Sequence, residues 1–292
     1  MPQHKPDWLT VRMPAGENYQ RIRKLIESHH LHTICQEANC PNRCECYNSG
    51  TATFLILGSH CTRGCTFCNV SRGEPTPYDP GEADRVADAV AWLELDYVVI
   101  TSVTRDDLTD YGSTLFALVC DKVRKARPGC QVELLIPDFM GDRKAFARVV
   151  AATPDVLNHN LETVKRLYGE VRRGADYDRS LDVFTAFREL APGLILKSGL
   201  MVGLGETITE LREVISDLAE RGCRILTIGQ YLQPSPRHHP VVKFYHPDIF
   251  IELAELAQAA GIDIVESAPL VRSSYHAKES YLKISTAIRW NS

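Results

Sequence analysis

From about residue 50 onward the chain alternates short apolar runs with amphipathic stretches, and that alternation narrows the possible folds more than any other feature. The runs are TATFLILG (51–58), DYVVITSV (96–103), QVELLIPDF (131–139), DVLNHNLET (155–163), LILKSGLMVGLG (194–205), RILTIGQYLQP (224–234) and IDIVESAPL (262–270). They are apolar on both faces, as strands covered on both sides of a parallel sheet must be. The stretches between them, from EADRVADAVAWLE to PDIFIELAELAQAAG, have helical periodicity. The last two stop at Gly222 and Gly261, where a left-handed cap is expected. Strands alternating with helices mean βα units on a parallel sheet, in a barrel or a doubly wound fold. No Gly-x-Gly-x-x-Gly follows the first strand, so the dinucleotide signal is missing and a barrel is favoured. Six regular units precede a less regular C-terminus. The expected fold is therefore α/β, an incomplete (β/α)6 TIM-like barrel over residues 51–270. Residues 1–50 form an N-terminal extension, and 271–292 a C-terminal helical tail.

Composition excludes several functions. The 292 residues are 44% hydrophobic and 24% charged, enough for one large domain with its own core. Net charge is −4, and no basic run is longer than a pair such as Arg172–Arg173, so a generic nucleic-acid binder is not expected. No run approaches the ~18 apolar residues of a membrane span. The N-terminal MPQHKPDWLTVRMP lacks the apolar core of a signal peptide, so the expectation is a cytoplasmic protein.

In such a compartment thiols stay reduced, and the ten cysteines need another explanation than disulfides. Seven of them lie within residues 35–68, a clustering that points to metal. Cys120, Cys130 and Cys223 sit in apolar or helical contexts and read as small core residues. The clustered ones divide into Cys35-x4-Cys40-x5-Cys46, with Cys44 as an extra, and Cys61-x3-Cys65-x2-Cys68. Structural zinc prefers four ligands, commonly in paired knuckles, and neither group offers two knuckles. Three thiolates suit a cubane iron–sulfur cluster with one iron left open to an exogenous ligand. The second group follows the first strand, where a β/α barrel carries its functional loops. His29, His30 and His32 read as residues of a helix end, and Cys44 as a bystander.

Cys61, Cys65 and Cys68, with Phe67 just before the last cysteine, resemble the radical S-adenosylmethionine superfamily. GLMVGLGE (199–206) is similar to the superfamily's glycine-rich stretch behind the adenine, which implicates Gly203 and Glu206. That resemblance implies a 4Fe-4S cluster and S-adenosylmethionine. Asn158, Asn160 and Glu162 at a strand end fit ribose or substrate contacts, and Lys197 and Arg212 are further candidates near the cofactor.

The upstream cysteines narrow this further. Together with CPN (40–42), TSVTRDDL, NHNLETV, KSGLMVGLGET, QYLQPS and RSSYHA, they resemble the lipoyl synthase family over nearly the whole chain. The resemblance implies a second, auxiliary 4Fe-4S cluster on Cys35, Cys40 and Cys46, with a serine of Arg272-Ser273-Ser274-Tyr275 on its fourth iron. Ser274 is preferred, with Ser273 as the fallback. An oxygen ligand is harder and more weakly retained than thiolate, which suits a cluster that is to be dismantled. Thr104 stands where an acidic residue is more usual, while Asp106 and Asp107 remain. The implied reaction inserts two sulfur atoms at C6 and C8 of an octanoyl chain on a lysine of a lipoyl carrier protein. The carrier would be a 2-oxoacid dehydrogenase E2 lipoyl domain or a glycine-cleavage H protein. Two S-adenosylmethionine molecules are used, and the auxiliary cluster donates the sulfur. The further partners implied are a ferredoxin- or flavodoxin-type electron donor and cluster carrier proteins, with no nucleic acid and no membrane. Such chemistry requires both clusters to face one cavity, so extension and tail are expected to meet over the barrel mouth. A plain electron carrier, the reading from another class, usually completes each cluster with four cysteines.

Overall fold

The computed structural model describes residues 5–10, 16–48 and 51–291; residues 1–4, 11–15, 49–50 and 292 of the expected extension and tail lie outside the described residues. Ten strands are present among the described residues: β1 (His32–Thr33), β2 (Thr53–Ile56), β3 (His60–Cys61), β4 (Ser71–Arg72), β5 (Tyr97–Ser102), β6 (Gln131–Leu135), β7 (Val156–Asn158), β8 (Ile195–Val202), β9 (Cys223–Gln230) and β10 (Ile264–Ser267). The helices of the extension are α1 (Glu17–Ser28), α2 (Ile34–Glu37) and α3 (Arg43–Asn48). Those of the barrel are α4 (Glu82–Trp92), α5 (Ser113–Ala126), α6 (Arg143–Ala151), α7 (Tyr168–Val171), α8 (Tyr177–Leu190), α9 (Ile208–Glu220) and α10 (Pro247–Ala259), and α11 (Ala277–Asn291) forms the tail.

The main sheet runs β1-β2-β5-β6-β7-β8-β9-β10. Sequence neighbours are spatial neighbours throughout, which is barrel winding; a doubly wound sheet would reverse its order partway. Every pairing from β2 to β10 is parallel, whereas β1 joins β2 antiparallel, with His32 opposite Leu55. Among the described residues β1 and β10 remain as two edges, so the barrel is incomplete, as expected. The sequence did not disclose β1, because two residues carry no period.

All seven anticipated strands exist, with shorter bounds. The run 131–139 is strand only to Leu135, because Pro137 lacks an N–H for a ladder and Asp138 turns its side chain back to cap Met140. The helices begin where side chains can accept the first free amides. Asp142 caps α6, Asp176 caps α8, and Thr207 with Glu210 closes a reciprocal capping box on α9. Gly222 and Gly261 follow α9 and α10 at φ +81° and +105°. Tyr19, Ile22, Leu25 and Ile26 lie on one side of α1 and are buried, and the Tyr19 ring meets Tyr47 of α3. Each such aliphatic side chain contributes about 1.5–3 kcal/mol by burial, which holds the extension to the barrel. Among the described residues no helix is long and apolar enough to cross a membrane.

Candidate functional site

One cavity of about 680 Å³ opens where the C-terminal ends of the strands face the extension and the tail. Cys61, Cys65 and Cys68 line it, and so do Cys35, Cys40, Cys44 and Cys46, together with Phe67, Asn160, Glu162, Ser273 and Ser274.

The Cys61–Cys68 loop is held from several sides. Arg63, buried within it, donates to Asp106 at 2.7 and 2.9 Å and to Asp138 at 2.6 Å, and Arg179 binds the other oxygen of Asp138 at 2.9 Å. Burial opposes the charge on Asp138, but the hydrogen bond and charge of Arg63, with the bond from Arg179, together outweigh it and keep the carboxyl far below its ordinary range. Thr62 bonds the Thr104 carbonyl through its amide and its hydroxyl, both at 3.0 Å. Thr66 N–H reaches Val171 O at 2.8 Å, and the His238 ring meets Cys68 O at 3.1 Å. Asp107 pairs with Arg105 at 2.9 Å. The two aspartates of TSVTRDDL thus brace arginines, and Thr104 contributes through its backbone carbonyl.

The upstream triad sits on α2 and α3. Thr33 caps α2, and the Asn69 amide spans from the second loop to Glu37 O at 2.8 Å, tying the two cysteine segments together. Extension and tail do meet over the mouth, where Tyr275 OH donates to Glu45 at 2.9 Å, and just before the tail Asn42 donates to Leu270 O at 2.6 Å. The Asn48 amide reaches Cys44 Sγ at 3.5 Å. His29 bonds Leu25 O, His32 bonds Glu37, and neither ring lines the cavity.

Burial pushes the Cys35 thiol up to about 11, and the Cys46 and Cys68 thiols to about 12; neighbouring cysteines add to each shift. These groups are thiols in the metal-free protein at neutral pH, so loading them releases protons. Among the described residues no three His, Cys, Asp or Glu side chains close on the point of a single ion. Soft sulfur donors in two threes, each with room beside it, have the chemistry that iron–sulfur cubanes take.

The cavity floor depends on two glycines. A Cβ at Gly199 would stand 2.7 Å from Asn160 Oδ1 and 2.8 Å from Thr227 Oγ1, and one at Gly229 would run into the Val271 carbonyl. Ser273 is clamped, donating to Asn160 Oδ1 at 2.9 Å and accepting from Asn158 Nδ2 at 3.0 Å. Asn160 also donates to Glu162 at 3.0 Å, and burial raises the Glu162 carboxyl above its ordinary value. Ser274 is half-buried on the wall and makes no hydrogen bond among the described residues.

Five of the anticipated cofactor contacts lie off the wall. Lys197 is fully buried, 2.9 and 3.0 Å from the two oxygens of Glu133. Tyr97 OH and Asn158 Nδ2 complete that carboxylate, so both Lys197 and Asn158 serve an interior network. Glu206 receives the Gly203 and Leu204 amides at 2.6 and 2.9 Å and fixes the turn behind the cavity, where Gly203 takes φ +99°. Arg212 is exposed on α9. Conversely, Arg43, Arg172 and Gln230 line the cavity and were given no role from sequence, and Arg272 entered only as part of the RSSY motif, since lone polar residues carry no spacing signal. Cys120, Cys130 and Cys223 are buried core thiols, as expected.

A three-cysteine loop after the first strand of an open parallel barrel defines a radical S-adenosylmethionine enzyme. The model of the Radical SAM superfamily matches residues 55–218, and a model of the N-terminal domain of lipoyl synthase of that family matches residues 2–40. Lipoyl synthase of Caldicellulosiruptor saccharolyticus is 52% identical over 96% of this chain and 98% of its own length. That of Methylococcus capsulatus is 52% identical over 95% and 87%. The chain belongs to the lipoyl synthase family, whose radical chemistry inserts sulfur and requires a 4Fe-4S cluster and S-adenosylmethionine. Solved structures share the fold at low identity. Streptococcus suis SuiB bound to S-adenosylmethionine has TM-score 0.58 at 13% identity, covering 86% of this chain and 56% of its own. Methylornithine synthase has 0.53 at 15%, covering 87% and 80%.

Proposed function

We propose that the cavity between the two cysteine triads is where an octanoyl chain, carried on a lysine of a lipoyl carrier protein, receives two sulfur atoms. The observation that carries this reading is that both triads and Ser274 line one cavity. Cys61, Cys65 and Cys68 would hold the cluster that, when bound, gives one electron to S-adenosylmethionine and so produces the radical that abstracts hydrogen from an unactivated carbon. Cys35, Cys40, Cys46 and Ser274 would hold the second 4Fe-4S cluster, which in this reading is the sulfur-donating substrate.

The chain's own residues supply position and dryness. Arg63, fixed between Asp106 and Asp138, sets the loop so that its three cysteines line the cavity where they would hold the cluster. Asn160 and Glu162, joined to each other and to Ser273, offer polar contacts at the wall for the ribose or the acyl carbonyl. Gly203 and Glu206 shape the turn behind the cavity on which an adenine could rest, and Phe67 lines the cavity itself. Apolar wall residues such as Val103, Leu200 and Met201 keep water from a reactive carbon. The extension (1–50), barrel (51–270) and tail (271–292) act as three parts of one site. The carrier is an E2 lipoyl domain or an H protein, the electron donor a ferredoxin or flavodoxin, the triads are filled by cluster carrier proteins, and the setting is the cytoplasm.

Anaerobically reconstituted protein, given an octanoyl-lysine peptide in a single turnover, is expected to add two sulfurs and release two 5′-deoxyadenosines per product. Cleavage of S-adenosylmethionine with no sulfur in the peptide would overturn the assignment.

A further inference from the structure

We propose that Arg272 is the counter-cation of the sulfur-donating cluster, raising its reduction potential and slowing its loss of iron. This rests on the reading that Cys35, Cys40, Cys46 and Ser274 hold that cluster.

Six cationic side chains line the cavity: Lys5, Arg43, Arg63, Arg72, Arg172 and Arg272. Against them stands one carboxylate, Glu162. Arg63 alone of the six forms a carboxylate ion pair among the described residues. Elsewhere cations are commonly matched, as in Lys122–Asp84, Lys165–Asp178 and Arg224–Asp263. An unmatched guanidinium on the wall of a concave, half-dry site is costly unless an anion joins it.

Arg272 is the best placed of these cations. It lies one residue before the clamped Ser273 and two before Ser274, and it is half-buried. Its Nη1 donates to its neighbour's carbonyl, Val271 O, at 2.7 Å, which leaves the other guanidinium hydrogens for a partner. Cys35, Cys40 and Cys46 line the same cavity. Its backbone is fixed from behind, since Gly229 leaves just enough room for Val271 O and a Cβ there would stand 3.2 Å from Arg272 Nη1. A cubane held by three thiolates and one alkoxide carries net negative charge, and net charge and hydrogen bonds to sulfur are the levers that set its potential. A fixed cation favours the more negative, reduced form and shields the iron sites from protonation and loss.

The test uses a Cys61→Ala/Cys65→Ala/Cys68→Ala background, so that only the auxiliary site is read. Potentiometric EPR and iron release to a chelator are compared for Arg272, Arg272→Lys and Arg272→Gln. The glutamine variant is expected to be reduced only at a more negative potential and to lose iron several-fold faster, with lysine restoring most of both. If glutamine does not load the cluster while lysine does, the charge is again required. Equal behaviour of all three, or failure of lysine alongside glutamine, would overturn the proposal. Should the background protein with native Arg272 hold no iron, the two-cluster reading itself has failed.

Discussion

The Ser273 hydroxyl donates to Asn160 Oδ1 at 2.9 Å while accepting from Asn158 Nδ2 at 3.0 Å. A hydroxyl so engaged would have to give up its only proton, and the bond made with it, to bind iron as an alkoxide. Its neighbour Ser274 has no such engagement among the described residues. The two serines therefore divide the work, with Ser273 pinning the tail to the barrel and Ser274 facing the cavity. Ser274→Ala is expected to alter the Mössbauer signature of the auxiliary cluster. Ser273→Ala should leave that signature intact while slowing sulfur transfer about tenfold, the equivalent of losing roughly one buried hydrogen bond's worth of positioning. The reverse pattern would reassign the ligand.

Lys197 separates a structural role from a cofactor role. Its ammonium lies against both oxygens of Glu133, and removing it leaves a buried carboxylate without its cation. Lys197→Met should cost about 3–5 kcal/mol in denaturant unfolding. The KM for S-adenosylmethionine should stay unchanged in whatever protein folds. A raised KM at unaltered stability would mean that the side chain reaches the cofactor.

Gly229 sets how closely the tail approaches. An alanine there would push the Val271 carbonyl away, at a cost of about 1–3 kcal/mol, and displace the segment bearing Arg272 and Ser274. Gly229→Ala should retain its circular dichroism yet load fewer irons than wild type. Normal iron content would show that the segment accommodates the methyl group.

His159 is buried, its Nδ1 2.8 Å from Ile136 O, and burial holds its pKa down to about 3. Unfolded, it would titrate near 6.5. The unfolded chain thus binds a proton that the folded one refuses, and stability falls as pH drops below about 6.5, by up to about 1.4 kcal/mol per pH unit. Asp138, whose pKa is depressed, loses its contribution only below about 3.9 and so stays out of that window. His159→Gln should reduce the slope of stability between pH 6.5 and 5 by one proton's worth. An unchanged slope would place the acid sensitivity elsewhere.

The order of strands and helices was legible because the apolar runs and the 3.6-residue period are long, and the cysteine triads because close spacing survives without a fold. Residues that act through one partner far along the chain were not. Lys197 and Glu133 are 64 positions apart, and only the parallel pairing of β6, β7 and β8 brings them together. Asn158 and Asn160 look equivalent in NHNLET. Strand alternation places both side chains on the same side, yet Asn158 ends in the Glu133 network and Asn160 at the cavity wall, because β7 stops between them. Arg272 likewise depends on Gly229, 43 positions earlier, whose lack of a side chain leaves room for it.

Two separate triads on one cavity call for two clusters, one on each. Iron and acid-labile sulfide should be counted in anaerobically reconstituted wild type, in the Cys35→Ala/Cys40→Ala/Cys46→Ala variant and in the Cys61→Ala/Cys65→Ala/Cys68→Ala variant. About eight irons per chain are expected in wild type, then about four in each variant. About four in wild type, lost entirely with either triad, would mean a single shared cluster and contradict that expectation.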